Sequence, residues 1–220
     1  MTVLVTGATG RVGGQVVAQL RNSGIRALSR KASVDLGPGV EVGTGDLMAP
    51  DTLVPALDGV DSVFLVVPSV MIDRVAPELV ATLAKHVRRI VYLSAQRVPG
   101  GRPEPDGTIL GSHAYLEGLI AASGAEYTFV RASGFAANTL AWAGQLRRSD
   151  VLRWFLPEAR RALVHEADLA AVAVRGLNSD GHAVHHVTGP EQLSQVEQLD
   201  VIGSVLGRTL RFEEIETDRV

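Results

Sequence analysis

The chain has 220 residues, enough for one α/β domain with a substantial core and too few for two full-sized ones. Its 21 basic and 24 acidic residues leave a formal net charge of −3 with no long basic run, which argues against nucleic acid as a partner. There is no cysteine, which excludes a disulfide framework, a thiol nucleophile and a Cys-ligated metal.

The chain opens on a short apolar run, Val3 to Thr6, that stops at Gly7. From Val12 onward Val16, Val17 and Leu20 recur at helical spacing, so the segment reads as strand, glycine turn and helix. Gly7, Gly10 and Gly13 stand three apart, and each place has its own need for a missing side chain. Gly7 takes the turn out of the strand, Gly10 admits a pyrophosphate to the backbone, and Gly13 lets the helix lie on the sheet. With the free N–H groups of the first helical turn, residues Gly7, Thr9, Gly10, Arg11, Val12 and Gly13 form the expected diphosphate cradle of a dinucleotide. A strand at residue 2 leaves no room for a leader, and no apolar run approaches the roughly eighteen residues of a membrane span. The sequence therefore reads as cytoplasmic, without a membrane partner.

The first helix is expected to stop at Asn22-Ser23-Gly24, with glycine as a left-handed cap. A second strand, Ile25 to Ser29, runs into Arg30 and Lys31, where an NAD-preferring domain carries an acid for the ribose 2′-hydroxyl. Two cations there suit a 2′-phosphate and favour NADP; the plainer reading is a solvated loop. After a short strand within Gly39 to Gly45 come Asp46 and Leu47, placed either to hold an adenine ring or, for Asp46, to cap a helix starting near Asp51. Asp61 to Val67 is an almost unbroken apolar strand, fit for a parallel sheet covered on both faces. Val67 and Pro68 end it at the carboxyl edge where the cofactor would lie, followed by a loop at Ser69 and Val70 and a helix over Pro77 to His86.

Arg89 to Ser94 is the fifth strand, and Arg97 to Gly107 a proline- and glycine-rich loop expected to be mobile. A helix from Gly111 to Ala122 carries Ser112, His113, Tyr115 and Glu117; Glu126 to Arg131 is the sixth strand, and Ser133 to Asn138 begins another helix. Alternation of strand and helix predicts an α/β fold of Rossmann type: a doubly wound parallel sheet with helices on both faces, over residues 1–150. Residues 151–220 are expected to form a small C-terminal α/β substrate lobe, packed on the first domain as one globular unit. Within it, helices are expected over His165 to Leu177 and Ser194 to Leu206, and strands over Ala183 to Thr188 and Thr209 to Ile215. Trp142, Trp154, Phe155 and Leu156 either line a substrate pocket or pack a core. His185 and His186 would face opposite sides of their strand, so no metal is expected.

Several of these segments together resemble the NmrA-like, atypical short-chain dehydrogenase/reductase group. They are Thr6 to Gly13, Gly45-Asp46-Leu47, Val91-Tyr92-Leu93-Ser94, Ser123-Gly124, Tyr127 to Arg131, and Phe135 with Asn138. The resemblance implies an NAD(P)H-dependent oxidoreductase that passes hydride to a quinone, enone or related small carbonyl compound; the sequence leaves monomer and homodimer both open. The group also includes NADP-binding redox sensors without turnover, which is the alternative. Ordinary short-chain dehydrogenases pair a Tyr with a Lys four residues on. Here Tyr115 is followed at that spacing by Leu119, and no lysine follows Lys85. In the isoflavone-reductase-like branch a Lys precedes the Tyr of the Tyr-Thr pair by fourteen residues, which here gives His113. In the quinone-reductase branch a His followed four residues later by Glu is similar to His113 and Glu117. The resemblance thus implies His113 as catalytic or substrate-binding group, with Glu117 orienting its imidazole or raising its pKa, and Ser94 binding substrate or nicotinamide. The plainer readings are a surface pair and a loop-start cap. Many members of the group carry a C-terminal segment that helps close the substrate site, and the resemblance implies its absence here.

Overall fold

A computed structural model describes residues 1–21, 23–98, 104 and 106–216. Asn22 of the expected helix stop, and residues 99–103 and 105 of the expected mobile loop, lie outside them. Two compact units divide the chain: Met1–Ala132 with Glu166–Val187, and Ser133–His165 with Thr188–Val220. The division therefore does not fall at residue 150. A helix and a strand assigned by position to the small lobe return to the first unit: the helix buries an apolar stripe, and the strand, itself largely exposed, joins by backbone pairing with the sheet.

In the first unit the strands are β1 (Thr2–Val5), β2 (Gly24–Ser29), β3 (Val40–Thr44), β4 (Ser62–Leu65), β5 (Arg89–Ala95), β6 (Glu126–Ala132) and β8 (Ala183–Val187). All pair in parallel, in the order β3-β2-β1-β4-β5-β6-β8, so every carboxyl end meets at one edge of the sheet. β1 has β2 on one side and β4 on the other, which makes its carboxyl end the switch point where such sheets bind ligands. The apolar run in β4 is buried along its whole length, as a strand covered on both faces must be.

Helix α1 (Arg11–Gln19) packs with α6 (Glu166–Leu177) against one face of the sheet, and Gln19 donates a hydrogen bond to the Ala167 carbonyl at 2.8 Å. On the other face α3 (Ser69–His86) packs with α4 (Ile109–Ala122), beside a short 3-10 turn at Pro50–Leu53 that continues into α2 (Val54–Leu57).

Three local expectations differ from the structure. Helix α3 starts at Ser69, not Pro77, so the expected loop at Ser69 and Val70 is helical. Pro77 forfeits one backbone hydrogen bond inside the helix, and the stripe Ile72, Val75, Ala76, Leu79, Val80, Leu83, all buried, outweighs it. Helix α1 ends at Gln19, and Gly24 is no left-handed cap: it opens β2, where a Cβ would stand 3.1 Å from the Met1 carbonyl oxygen. Asp46 caps no helix. Its Oδ1 accepts from the Met48 N–H at 2.9 Å while its own N–H donates to Thr52 Oγ1, closing a tight local turn.

In the second unit a 3-10 segment, Ala136–Trp142, replaces the helix expected from Ser133 and leads into α5 (Ala143–Leu146). Backbone pairing of Phe135 with Val164 holds the preceding residues extended. Strands β7 (Val151–Trp154) and β9 (Arg211–Glu214) pair in parallel, and α7 (Gln195–Leu206) starts on a capping box of Ser194 and Glu197. Trp142 is 4% exposed and packs with Leu146, Leu152, Leu199 and Leu210, with Trp154 against them. Trp142 and Trp154 thus belong to the core of this unit, Phe155 stacks on Trp154 at 5.0 Å, and Leu156 is exposed.

Candidate active site

The turn after β1 is built as the glycine spacing requires. Gly7 has φ +61°, a left-handed conformation that a side chain resists, and its carbonyl accepts from the Gly10 N–H at 2.8 Å. A Cβ on Gly13 would stand 2.2 Å from that same carbonyl oxygen, so the helix sits against the turn at a distance only glycine allows. Gly10 is the N-cap of α1 and no side chain caps the helix there, so the positive end of its dipole faces the opening. Thr9, Gly10 and Arg11 are exposed around this opening, whereas the Val12 side chain is buried and leaves only its backbone to offer. The turn is tied to β4 through Thr6, whose buried Oγ1 accepts from the Val66 N–H at 2.7 Å.

The other expected cofactor residues stand at the same carboxyl edge. Arg30 and Lys31 are exposed just past β2, with the Lys31 N–H donating to Ser29 Oγ at 3.0 Å. Asp46 and Leu47 follow β3 and are half-buried. Val67 is buried and Pro68 exposed at the start of α3.

Beside them lies a polar cluster. Tyr92 and Ser94, two apart on β5, share a face of the sheet, and His113 and Glu117, one turn apart on α4, share a face of the helix. These faces meet. The Tyr92 hydroxyl lies 2.5 Å from His113 Nδ1, and Ser94 Oγ donates to Glu117 Oε1 at 2.6 Å. From β6, in register with Ser94, Arg131 donates to both oxygens of Glu117, at 3.0 and 2.5 Å.

This geometry corrects two expectations. Glu117 does not hydrogen-bond the imidazole: it is 2% exposed and its oxygens are held by Arg131 and Ser94. Nor does it raise the His113 pKa overall. Burial lowers it below the ordinary 6.5, and the Glu117 charge pulls the other way without prevailing. Ser94 is 4% exposed and donates its hydroxyl to Glu117, so toward a ligand it has only an accepting lone pair to offer. Two residues without an expected role, Tyr92 and Arg131, complete the cluster. The signal for Tyr92 was available, because a hydroxyl set between apolar neighbours in a central strand must find a partner.

The depressed His113 pKa has a stability consequence. Between its folded value and 6.5 the unfolded chain binds a proton that the folded chain refuses, so stability is full above about 6.5 and falls as the pH drops. The melting temperature is expected to fall more steeply from pH 7 to 5 than that of His113→Gln; parallel profiles would refute this.

Among the described residues no group of three or more His, Asp or Glu side chains is placed to hold a metal, and no helix is long and apolar enough to cross a membrane.

Over residues 7–180 the sequence matches the family described as NAD(P)H-binding. A (4-alkanoyl-5-oxo-2,5-dihydrofuran-3-yl)methyl phosphate reductase of Streptomyces griseus is 40% identical over 224 residues, covering 98% of this chain and 78% of that protein. An NAD(P)H azoreductase of Xenophilus azovorans is 32% identical over 226 residues, covering 99% and 78%. In fold, the chain resembles an NADPH-dependent quinone oxidoreductase of Escherichia coli solved with NADPH, with a TM-score of 0.81 at 24% identity over 98% of this chain and 79% of that one.

Proposed function

Because this chain belongs to the NAD(P)H-binding family, and its relatives named above are reductases, we propose that it reduces a small conjugated carbonyl compound, an enone or a quinone, with NADPH as the preferred donor. The observation that carries this reading is the glycine cradle, in which Gly13 stands where any Cβ would strike the Gly7 carbonyl and the N-terminus of α1 is left uncapped. When bound, the cofactor supplies a hydride, and a proton from solvent balances the reduction.

The turn from Gly7 to Gly13 would hold the diphosphate at the N-terminus of α1. Arg30 and Lys31 take the 2′-phosphate, and Asp46 and Leu47 take the adenine end. Val67 and Pro68 line the path along the edge. His113 would donate a hydrogen bond to the acceptor oxygen, where negative charge grows during the reduction. A neutral imidazole suits that task, and its lowered pKa keeps it neutral at pH 7. Glu117, Arg131 and Ser94 anchor α4 to the sheet behind it.

A panel of enones and quinones with NADPH tests the reading. Steady consumption is expected with at least one acceptor, falling about a hundredfold in His113→Ala while NADPH affinity stays unchanged. Tight NADPH binding with no turnover on any acceptor would instead favour a redox sensor. For the cofactor preference, Arg30→Ala is expected to weaken NADPH about tenfold and leave NADH unaffected. Equal losses for both would remove the 2′-phosphate assignment.

A further inference from the structure

We propose that Tyr92 is a positioning residue for His113: its buried hydroxyl donates to Nδ1 and so fixes the imidazole proton on Nε2, the nitrogen left to meet an acceptor. The proposal rests on the reductase reading for its catalytic meaning, but the tautomer it assigns follows from the apoprotein alone.

The hydrogen bond between Tyr92 Oη and Nδ1 has two possible directions, and burial separates them. Tyr92 is 0% exposed, and its hydroxyl has no partner besides His113 among the described residues. Were Nδ1 the donor, the phenolic proton would be left buried with nothing to receive it, which is the costly kind of omission. With the hydroxyl donating, every buried donor of the pair is satisfied and only a spare oxygen lone pair goes unused. Nδ1 then carries no proton, and in a neutral imidazole the proton must be on Nε2. Nε2 itself has no hydrogen-bond partner among the described residues, which leaves it available to a substrate.

The two rings are held in place to keep this bond. They lie 5.7 Å apart between centroids, tilted by 35°, and Phe129 meets the other side of Tyr92 edge-on at 6.4 Å. The charge of Glu117, held by Arg131 from β6, would favour an imidazolium, but burial of the imidazole outweighs it. Burial raises the Tyr92 pKa well above 10 and lowers that of His113, so both groups are neutral at working pH, as a phenol-to-imidazole bond requires. The role is that of an orienting partner which sets a catalytic imidazole's tautomer without touching substrate.

The test is long-range proton–nitrogen NMR on protein labelled with 15N-histidine, measured with and without NADPH, beside steady-state kinetics. In the unmodified protein near pH 7.5, His113 is expected to show an unprotonated Nδ1 and a protonated Nε2. Tyr92→Phe, which keeps the ring, is expected to give averaged nitrogen shifts from mixed tautomers and to move the His113 pKa up toward 6.5. Its kcat should fall about tenfold with the KM for NADPH unchanged. A proton found on Nδ1 in the unmodified protein, or nitrogen shifts and pKa untouched by Tyr92→Phe, would overturn the proposal. The spectrum of the unmodified protein decides the tautomer even if the variant folds poorly. Retention of full turnover in His113→Ala would refute the reductase role of the imidazole and leave the NMR assignment standing, so the two failures are told apart.

Discussion

Gly13→Ala should abolish useful NAD(P)H binding and lower the melting temperature by roughly 6–12 °C. The added methyl would lie 2.2 Å from the Gly7 carbonyl oxygen, 2.6 Å from its carbonyl carbon and 3.1 Å from the Ala8 nitrogen. All three are backbone atoms, so no rotamer change relieves the clash; the turn or the helix must move. Overpacking of this kind costs about 3 kcal/mol when the neighbours cannot yield. For a chain of this length that corresponds to the stated fall in melting temperature. Displacing the turn also withdraws the helix N–H groups from the diphosphate. Two charge-assisted hydrogen bonds lost at about 1.5–3 kcal/mol each weaken binding by a hundredfold or more. Calorimetry with NADPH and a thermal melt measure both effects. Gly14→Ala is the control on the same helix, since a Cβ there would meet nothing closer than the Ala8 oxygen at 3.4 Å. Equal behaviour of the two variants would show that close approach at Gly13 is not what the turn depends on.

Arg131→Met is expected to destabilise the protein by about 3 kcal/mol, the lower end for breaking a buried ion pair, because the guanidinium retains some solvent contact. What remains in that variant is a carboxylate 3% exposed on its side chain, with Ser94 as its hydrogen-bond donor. The cost lies in the orphaned charge more than in the lost attraction. Removing both partners in Glu117→Met with Arg131→Met should therefore recover much of the stability, and urea unfolding of the two single variants and the double one measures the coupling. A double variant as unstable as the sum of the singles would mean that the pair is not coupled and the cluster has been misread.

The parts of this site that were legible in the sequence are those made by neighbours along the chain. Gly7, Gly10 and Gly13 satisfy a steric requirement confined to seven residues, so their spacing carries the geometry with it. The Glu117 network is of the other kind. Ser94 and Arg131 lie 23 and 14 residues from Glu117, and only the pairing of β5 with β6 brings them to the same carboxylate. Helical spacing put His113 and Glu117 on one face, correctly, and suggested that they serve each other. Each instead found a stronger partner on β5 or β6, because a sheet supplies buried donors that an isolated helix face lacks. Pro77 misled for a related reason: it marks where a helix starts most cheaply, while the stripe from Ile72 to Leu83 starts it eight residues earlier. In the fold, strand and helix alternation was enough for the parallel sheet, and the ownership of α6 and β8 was not, since it depends on the apolar stripe of α6 and on the backbone pairing of β8 with β6.

The return of residues 166–187 to the first sheet bears on how the chain is made. As it leaves the ribosome, β1 to β6 are complete by residue 132, but α1 has no partner on its side of the sheet and β6 remains an open edge until α6 and β8 arrive. The buried guanidinium of Arg89 likewise waits for the carbonyl of Gly181, 92 residues downstream. A fragment cut at residue 150 would keep the entire glycine turn and yet leave the helix that bears it uncovered, so nucleotide affinity should appear only once synthesis has passed Val187.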